Sequence, residues 1–182
     1  MGLNFTLGRI DIYREKFTGK RLTGFYRYAF GSGRSQDFHE LSLKYEYFKR
    51  LGANFNFASR TLLNSNDNEQ NIQYLFYYGG LDSIRGFKDN RFSGSTALVS
   101  NNELRYSMWR NQYFTLQGSS FVDFTSISKS FSDLLKENAA SAGLGVRFFF
   151  PQFYRFVVRF DYAVPLEKDD DESFSFGIQQ FF

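Results

Sequence analysis

The sequence predicts an all-β fold: an antiparallel, membrane-spanning β-barrel of about ten strands, with eight to ten the range that its segments allow. Three observations predict it. Aromatic residues make up 21% of the 182 positions, with 25 Phe and 12 Tyr, yet the mean hydropathy is only −0.41. A water-soluble core is filled mostly by aliphatic side chains, whereas rings are enriched where a barrel wall meets the lipid interface. Apolar residues recur at period two in segment after segment. Those segments run to about ten residues, the length with which a tilted strand crosses a bilayer.

Taken in order, the strands are expected at 3–14, 21–31, 38–49, 53–63, 71–79, 97–109, 112–124, 141–150, 154–165 and 173–182. In "ELSLKYEYFK", Leu41, Leu43, Tyr45 and Tyr47 share one parity. In "ELRYSMW", Leu104, Tyr106 and Met108 oppose Glu103, Arg105 and Ser107. Farther on, Phe114, Leu116, Val122 and Phe124 oppose Thr115, Gln117, Ser119 and Asp123. In "YRFVVRFDYAV", Phe156, Val158, Phe160 and Tyr162 oppose Arg155, Val157, Arg159 and Asp161. The last segment sets Phe174, Phe176, Ile178 and Phe182 against Ser175, Gly177 and Gln179. Turn signals separate the segments: "FTGK", "GSGRSQD", "NSNDNEQ", "KENAAS" and "EKDDDES". Helical periodicity competes only briefly, within the loop at 131–138.

A soluble sandwich also alternates, with its apolar face inward. A membrane barrel turns the apolar face to lipid and the polar face to the lumen, and closure removes the unpaired edges that lipid forbids. Ring density, even strand length and a terminal Phe182 favour the barrel. No run of 18 apolar residues exists for a spanning helix, and "MGLNFTLGRIDIYREK" lacks the charged start and apolar stretch of a secretory signal. One domain over 1–182 is expected, with no soluble N-terminal domain.

The remaining composition narrows function. The chain has no Cys, which excludes disulfides and thiolate metal sites. Its net charge of +3 comes from scattered basic residues, so nucleic acid is not an expected partner. The one histidine, His39, has no companions at metal-ligand spacing. A hydrolase triad built on it would need a rim position, and a ten-strand count puts His39 at the opposite, periplasmic end. No enzyme activity, metal or cofactor is therefore expected. "LEKDDDES" reads as a solvated loop, since it lacks the glycine spacing of a calcium loop.

Where the strand rhythm stops, residues 79–95 read "GGLDSIRGFKDNRFSGS". The "IRGF" within it is Ile84-Arg85-Gly86-Phe87. "FSG" and "NNELRYSM" with Glu103 follow, then "FVDF" with Asp123, "VRFDYAVPL" from Val158 to Leu166, and the terminal Phe182. From about Tyr78 onward this order resembles the C-terminal half of Omp85-superfamily outer-membrane barrels. That superfamily includes outer-membrane assembly factors, two-partner secretion transporters and patatin-fused barrels. A lone RGF is a weak sign; four elements in order are a strong one. One departure is Phe124-Thr125, where the family usually has a glycine after the aspartate.

The resemblance implies that the loop folds back into the lumen and is latched there, with Ile84, Arg85, Gly86 and Phe87 at its tip. Glu103 and Asp123 lie on the polar parity of neighbouring strands, so a planar guanidinium can bridge them, with Asp161 a further neighbour. The bland alternative makes Arg85 a solvated charge and the two acids ordinary lumen lining. The family's members usually carry about sixteen strands and periplasmic POTRA domains, whereas some five strands precede the loop here. A small closed barrel or an assembly of several copies can reconcile the counts. The resemblance implies a bacterial outer-membrane protein in contact with outer-membrane lipid, with a homo-oligomer and a periplasmic or outer-membrane protein as further partners. Its expected role is outer-membrane protein insertion, translocation or membrane organisation; a structural barrel or small pore is the alternative.

Overall fold

The computed structural model describes residues 1–30, 37–68, 72–153, 156–167 and 173–178. Among them, nine long strands make one antiparallel sheet: β1 (Gly2–Tyr13), β2 (Lys16–Ala29), β3 (Phe38–Arg50), β4 (Phe55–Asn66), β7 (Thr96–Arg110), β8 (Thr115–Ser128), β9 (Asn138–Phe149), β10 (Val157–Pro165) and β11 (Ser173–Ile178). They stand in chain order, and β4 pairs directly with β7 through Ser65↔Thr96. Two short strands, β5 (Phe76–Tyr78) and β6 (Phe92–Gly94), pair with each other apart from the main sheet. Among the described residues the sheet is not closed between β1 and β11.

Burial along the strands is inverted relative to a soluble protein. On β7 the polar parity Asn101, Glu103, Arg105 and Ser107 is buried, while Leu104, Tyr106 and Met108 are exposed. On β9 and β10, Arg147, Arg159 and Asp161 are buried while Leu144 and Tyr162 are exposed. A register slip of one residue would exchange these faces along a whole strand, so the alternation holds the pairing in place. Polar side chains predominate on the concave side, which also takes Phe48, Val99 and Phe121, while most rings and aliphatics face outward.

Two expected strands change. Segment 71–79, counted as a spanning strand, instead forms a 3-10 turn at Ile72–Tyr74 and the three-residue β5. Its rings suit a strand, but with β4 and β7 joined it has no place in the main sheet. The second β-strand begins earlier than expected, at Lys16, because the chain reverses at Arg14 and Glu15, with Arg14 at φ 56°, and not at "FTGK".

Losing one strand reverses the polarity of everything before the loop. Strands β1, β3, β7 and β9 end at one side of the sheet, the turn end; β2, β4, β8 and β10 end at the other, the loop end. The chain therefore starts at the loop end, where the Met1 carbonyl accepts the Tyr28 N–H. His39, beside Tyr28 in the β2–β3 register, also lies at the loop end, contrary to the expected position.

At the turn end the β1–β2 turn is fastened to distant strands. Glu15, 2% exposed, accepts hydrogen bonds from Ser107 Oγ at 3.0 Å and Arg110 Nε at 2.7 Å. Arg110 continues to Asn54 Oδ1 at 3.1 Å, across the β3–β4 turn. Burial by itself would raise the Glu15 carboxyl; its own backbone N–H, Arg110 and Ser107 outweigh that and hold it below the usual carboxylate range. A depressed carboxylate stabilises the fold above its unfolded-state range and loses that contribution as pH falls. Comparing the wild type with Glu15→Gln in acid-unfolding titrations is therefore expected to show a smaller loss for the variant between about pH 5 and 3. Parallel titration curves would count against the fastening.

Candidate functional site

The loop between β4 and β7 folds against the concave face, and five strands adjacent in the sheet hold it. Ser83 shapes its start, accepting the Gly79 N–H at 2.7 Å through Oγ and donating to the Gly79 carbonyl at 2.9 Å. From β4, Arg60 Nη2 donates to the Asp82 carbonyl at 3.1 Å; from β7, Asn101 Nδ2 donates to the Ser83 carbonyl at 2.7 Å. From β10, Arg159 Nη2 reaches the Leu81 carbonyl at 3.0 Å and Asp82 Oδ1 at 3.2 Å.

Arg85 lies at the centre, with its side chain 0% exposed. Its Nε and Nη2 donate to Asp123 Oδ2 and Oδ1, each at 2.8 Å, and its backbone N–H adds a third bond to Oδ2 at 3.1 Å. Nη1 donates to Glu103 Oε1 at 2.6 Å and stands 3.7 Å from Asp161 Oδ2. The planar fork meets Asp123 in two parallel bonds, a geometry that lysine cannot offer. On β9, Ser141 Oγ donates to the Arg85 carbonyl at 2.5 Å.

Register explains the convergence. Glu103 on β7 faces Phe121 on β8, and Asn101 faces Asp123, so the two acids sit on neighbouring rungs of one face. Phe121 shares the lumen parity and lies under the guanidinium, whose Cζ is 3.4 Å from the ring centroid. The ring needs the space opposite it on β9: a Cβ added to Gly143 would fall 2.4 Å from Phe121 Cζ. Gly86, at φ 95°, turns the chain immediately after the arginine, and a Cβ there would press on Ser141 Cβ at 3.1 Å. Beyond it, Ile84 and Phe87 pack with Ala139 and half-buried Phe92. Phe87 meets Phe92 edge-on, with ring centroids 5.0 Å apart.

Glu103 serves more than the loop. Arg105 Nε donates to its Oε2 at 2.7 Å, and Arg147 Nη2 to its Oε1 at 2.6 Å. Three guanidiniums thus share one carboxylate. Asp161 stands 3.8 Å from Arg159 Nη1 as well as near Arg85. Phe121, Arg105, Arg147 and Ser141 were not singled out from sequence as parts of this site. For Phe121 the signal is a ring on polar parity two residues before Asp123. Phe182, Arg155 and most of "EKDDDES" lie outside the described residues.

An antiparallel sheet with an apolar outer face, a polar inner face and a long connection folded inward defines a membrane β-barrel protein with a lumen-bound loop. The family model of the Omp85 superfamily domain matches residues 18–182, and the chain belongs to that superfamily. No curated protein matches the chain.

Proposed function

We propose that this chain is the loop-bearing barrel wall of a bacterial outer-membrane protein that inserts or translocates other proteins. Omp85 proteins as a family serve insertion and translocation in outer and organellar membranes, which gives the general role. The observation that carries the finer reading is the buried tip: Arg85, bound to two carboxylates and stacked on Phe121, holds the loop within the lumen. A latched loop obstructs a straight aqueous path and leaves the wall itself to handle the cargo. The latch is read as a device that keeps the lumen closed and the wall in register. Catalysis is not part of this reading.

The test is reconstitution of the chain into proteoliposomes, with folding of an unfolded outer-membrane β-barrel protein followed by protease protection. Faster folding than in empty vesicles, with low conductance across the same membranes, is the expected result. Unchanged folding with steady conductance would instead identify a small pore, and unchanged folding without conductance a structural barrel. The mass of the detergent-solubilised complex, as a multiple of 21.3 kDa, reports whether copies or partner proteins complete the wall.

A further inference from the structure

The two ends of the sheet differ in charge. Segments 13–17, 49–55, 109–114 and 150–156, which join strands at the turn end, hold six basic residues and one acidic residue, Glu15. Segments 30–37, 67–95, 129–137 and 166–172, which join them at the loop end, hold seven basic residues and twelve acidic ones. Cations far apart in the chain are gathered at one end by strand direction.

The single acid of the turn end is withdrawn from its surface. Glu15 is turned inward to Ser107 and Arg110, and Arg110 Nη2 also donates to the Ala53 carbonyl at 3.2 Å. Beside it, Asn56 Nδ2 donates to the carbonyls of Phe17 at 2.8 Å and Lys49 at 3.0 Å. These bonds hold the β1–β2 and β3–β4 turns side by side. Arg14, Lys49 and Arg50 are exposed there and have no ion-pair partner among the described residues. Arg50 stands over the Tyr13 ring, with Cζ 5.9 Å from its centroid. Tyr13, Leu51, Phe55 and Trp109 are exposed around these cations. Rings at the end of a lipid-facing wall sit at the level of the headgroups.

We propose that this rim binds the headgroups of anionic phospholipids. The phosphodiester lies against Arg14, Lys49 and Arg50, and an acyl chain passes the paired outward rings of Phe55 and Tyr106. A zwitterionic head would set its ammonium among cations with no free carboxylate to meet it, so the rim selects a head of net negative charge. Outer-membrane barrels keep their short turns on the periplasmic side. The proposal rests on the outer-membrane reading for that leaflet and on the rim itself for the lipid class.

Trp109 is the chain's one tryptophan. It adjoins the Arg110 that ties the two turns, so its fluorescence reports on lipid at this end. The full chain is reconstituted into phosphatidylcholine vesicles containing either brominated phosphatidylglycerol or, in parallel, brominated phosphatidylcholine. Stronger quenching by the brominated phosphatidylglycerol is expected, and the two curves give a ratio of affinities. Arg50→Gln is expected to lower that ratio by up to about fivefold, the scale of one basic residue near an anionic surface. The triple variant Arg14→Gln, Lys49→Gln, Arg50→Gln is expected to bring it to unity. Lys88→Gln, Lys129→Gln, Lys136→Gln together remove as many exposed charges from the loop end and are expected to leave it unchanged. Quenching by brominated phosphatidylcholine shows that each variant is inserted; its absence in the wild type would refute the membrane reading itself. Equal quenching by the two lipids in the inserted wild type would overturn the proposal and leave the rim to an acidic protein partner. A triple variant that keeps the preference would overturn it as well. So would loss of the preference on adding soluble glycerol phosphate, which would mark a site for free anions.

Discussion

Replacing Glu103 with alanine is expected to cost about 5 kcal/mol of stability, the upper end for breaking a buried ion network from one side. Its carboxylate accepts bonds from Arg85, Arg105 and Arg147, and all three guanidinium side chains are 0% exposed. Without it, three buried cations face one another, with Asp123 and Asp161 beside Arg85 to offset them in part. Glu103→Gln keeps the shape and one acceptor oxygen but loses the charge. It is expected to fall between the wild type and Glu103→Ala. Denaturant unfolding in detergent, followed by heat-modifiable gel mobility, measures the order. Equal midpoints for all three proteins would show that the cations are hydrated separately and that Glu103 does not organise them.

The second large effect is at the loop tip. Arg85→Ala removes every bond that the guanidinium makes and leaves Asp123, 0% exposed, with a buried carboxylate that has lost its two side-chain donors. A loss of about 3–5 kcal/mol is expected for leaving such a charge unpaired. Glu103 keeps Arg105 and Arg147, so the wall should suffer less than in Glu103→Ala, while the loop should suffer more. Single-channel recordings are therefore expected to show larger or more frequent openings in Arg85→Ala than in the wild type. Adding Asp123→Asn removes the orphaned charge, and the double variant is expected to regain stability without regaining the closed conductance. A single variant with wild-type stability and wild-type conductance would refute the latch. Arg85→Lys is expected to behave more like the alanine variant than like the wild type, because an ammonium cannot form the parallel pair with Asp123.

The lipid-facing and lumen-facing sides could be read from parity alone, since a strand sends alternate residues to opposite faces. That reading placed Glu103, Asp123 and Asp161 on one side before any pairing was known. The "IRGF" motif then drew attention to Arg85 among 22 basic residues. What parity cannot supply is which strand lies beside which. Segment 71–79 has the composition of a strand, yet β4 reaches past it to β7, and the miscounted strand moved His39 to the wrong end of the sheet. Nor does parity predict a useful exception. Phe121 interrupts a polar face and looks like a flaw in the pattern, but it supplies the floor on which the guanidinium rests. The basic rim at the turn end was hidden for a similar reason: its cations are scattered along the chain, and strand direction and the inward turn of Glu15 bring them together.

The nine strands of the main sheet among the described residues have a consequence for any complete wall. With alternating directions, the first and ninth strands run the same way, so β1 and β11 are co-directional. Bending this sheet until its margins meet would zip them as a parallel pair, with slanted and slightly weaker bonds than the other eight seams. Two copies inserted in the same sense would meet at two such seams. An all-antiparallel ring requires an odd number of additional strands between the margins. The arithmetic of direction, independent of any side chain, thus makes the seam a means of identifying what stands beside this sheet: isotope-edited infrared or cross-linking registers that distinguish parallel from antiparallel neighbours would separate self-closure and same-sense copies from an interposed odd set.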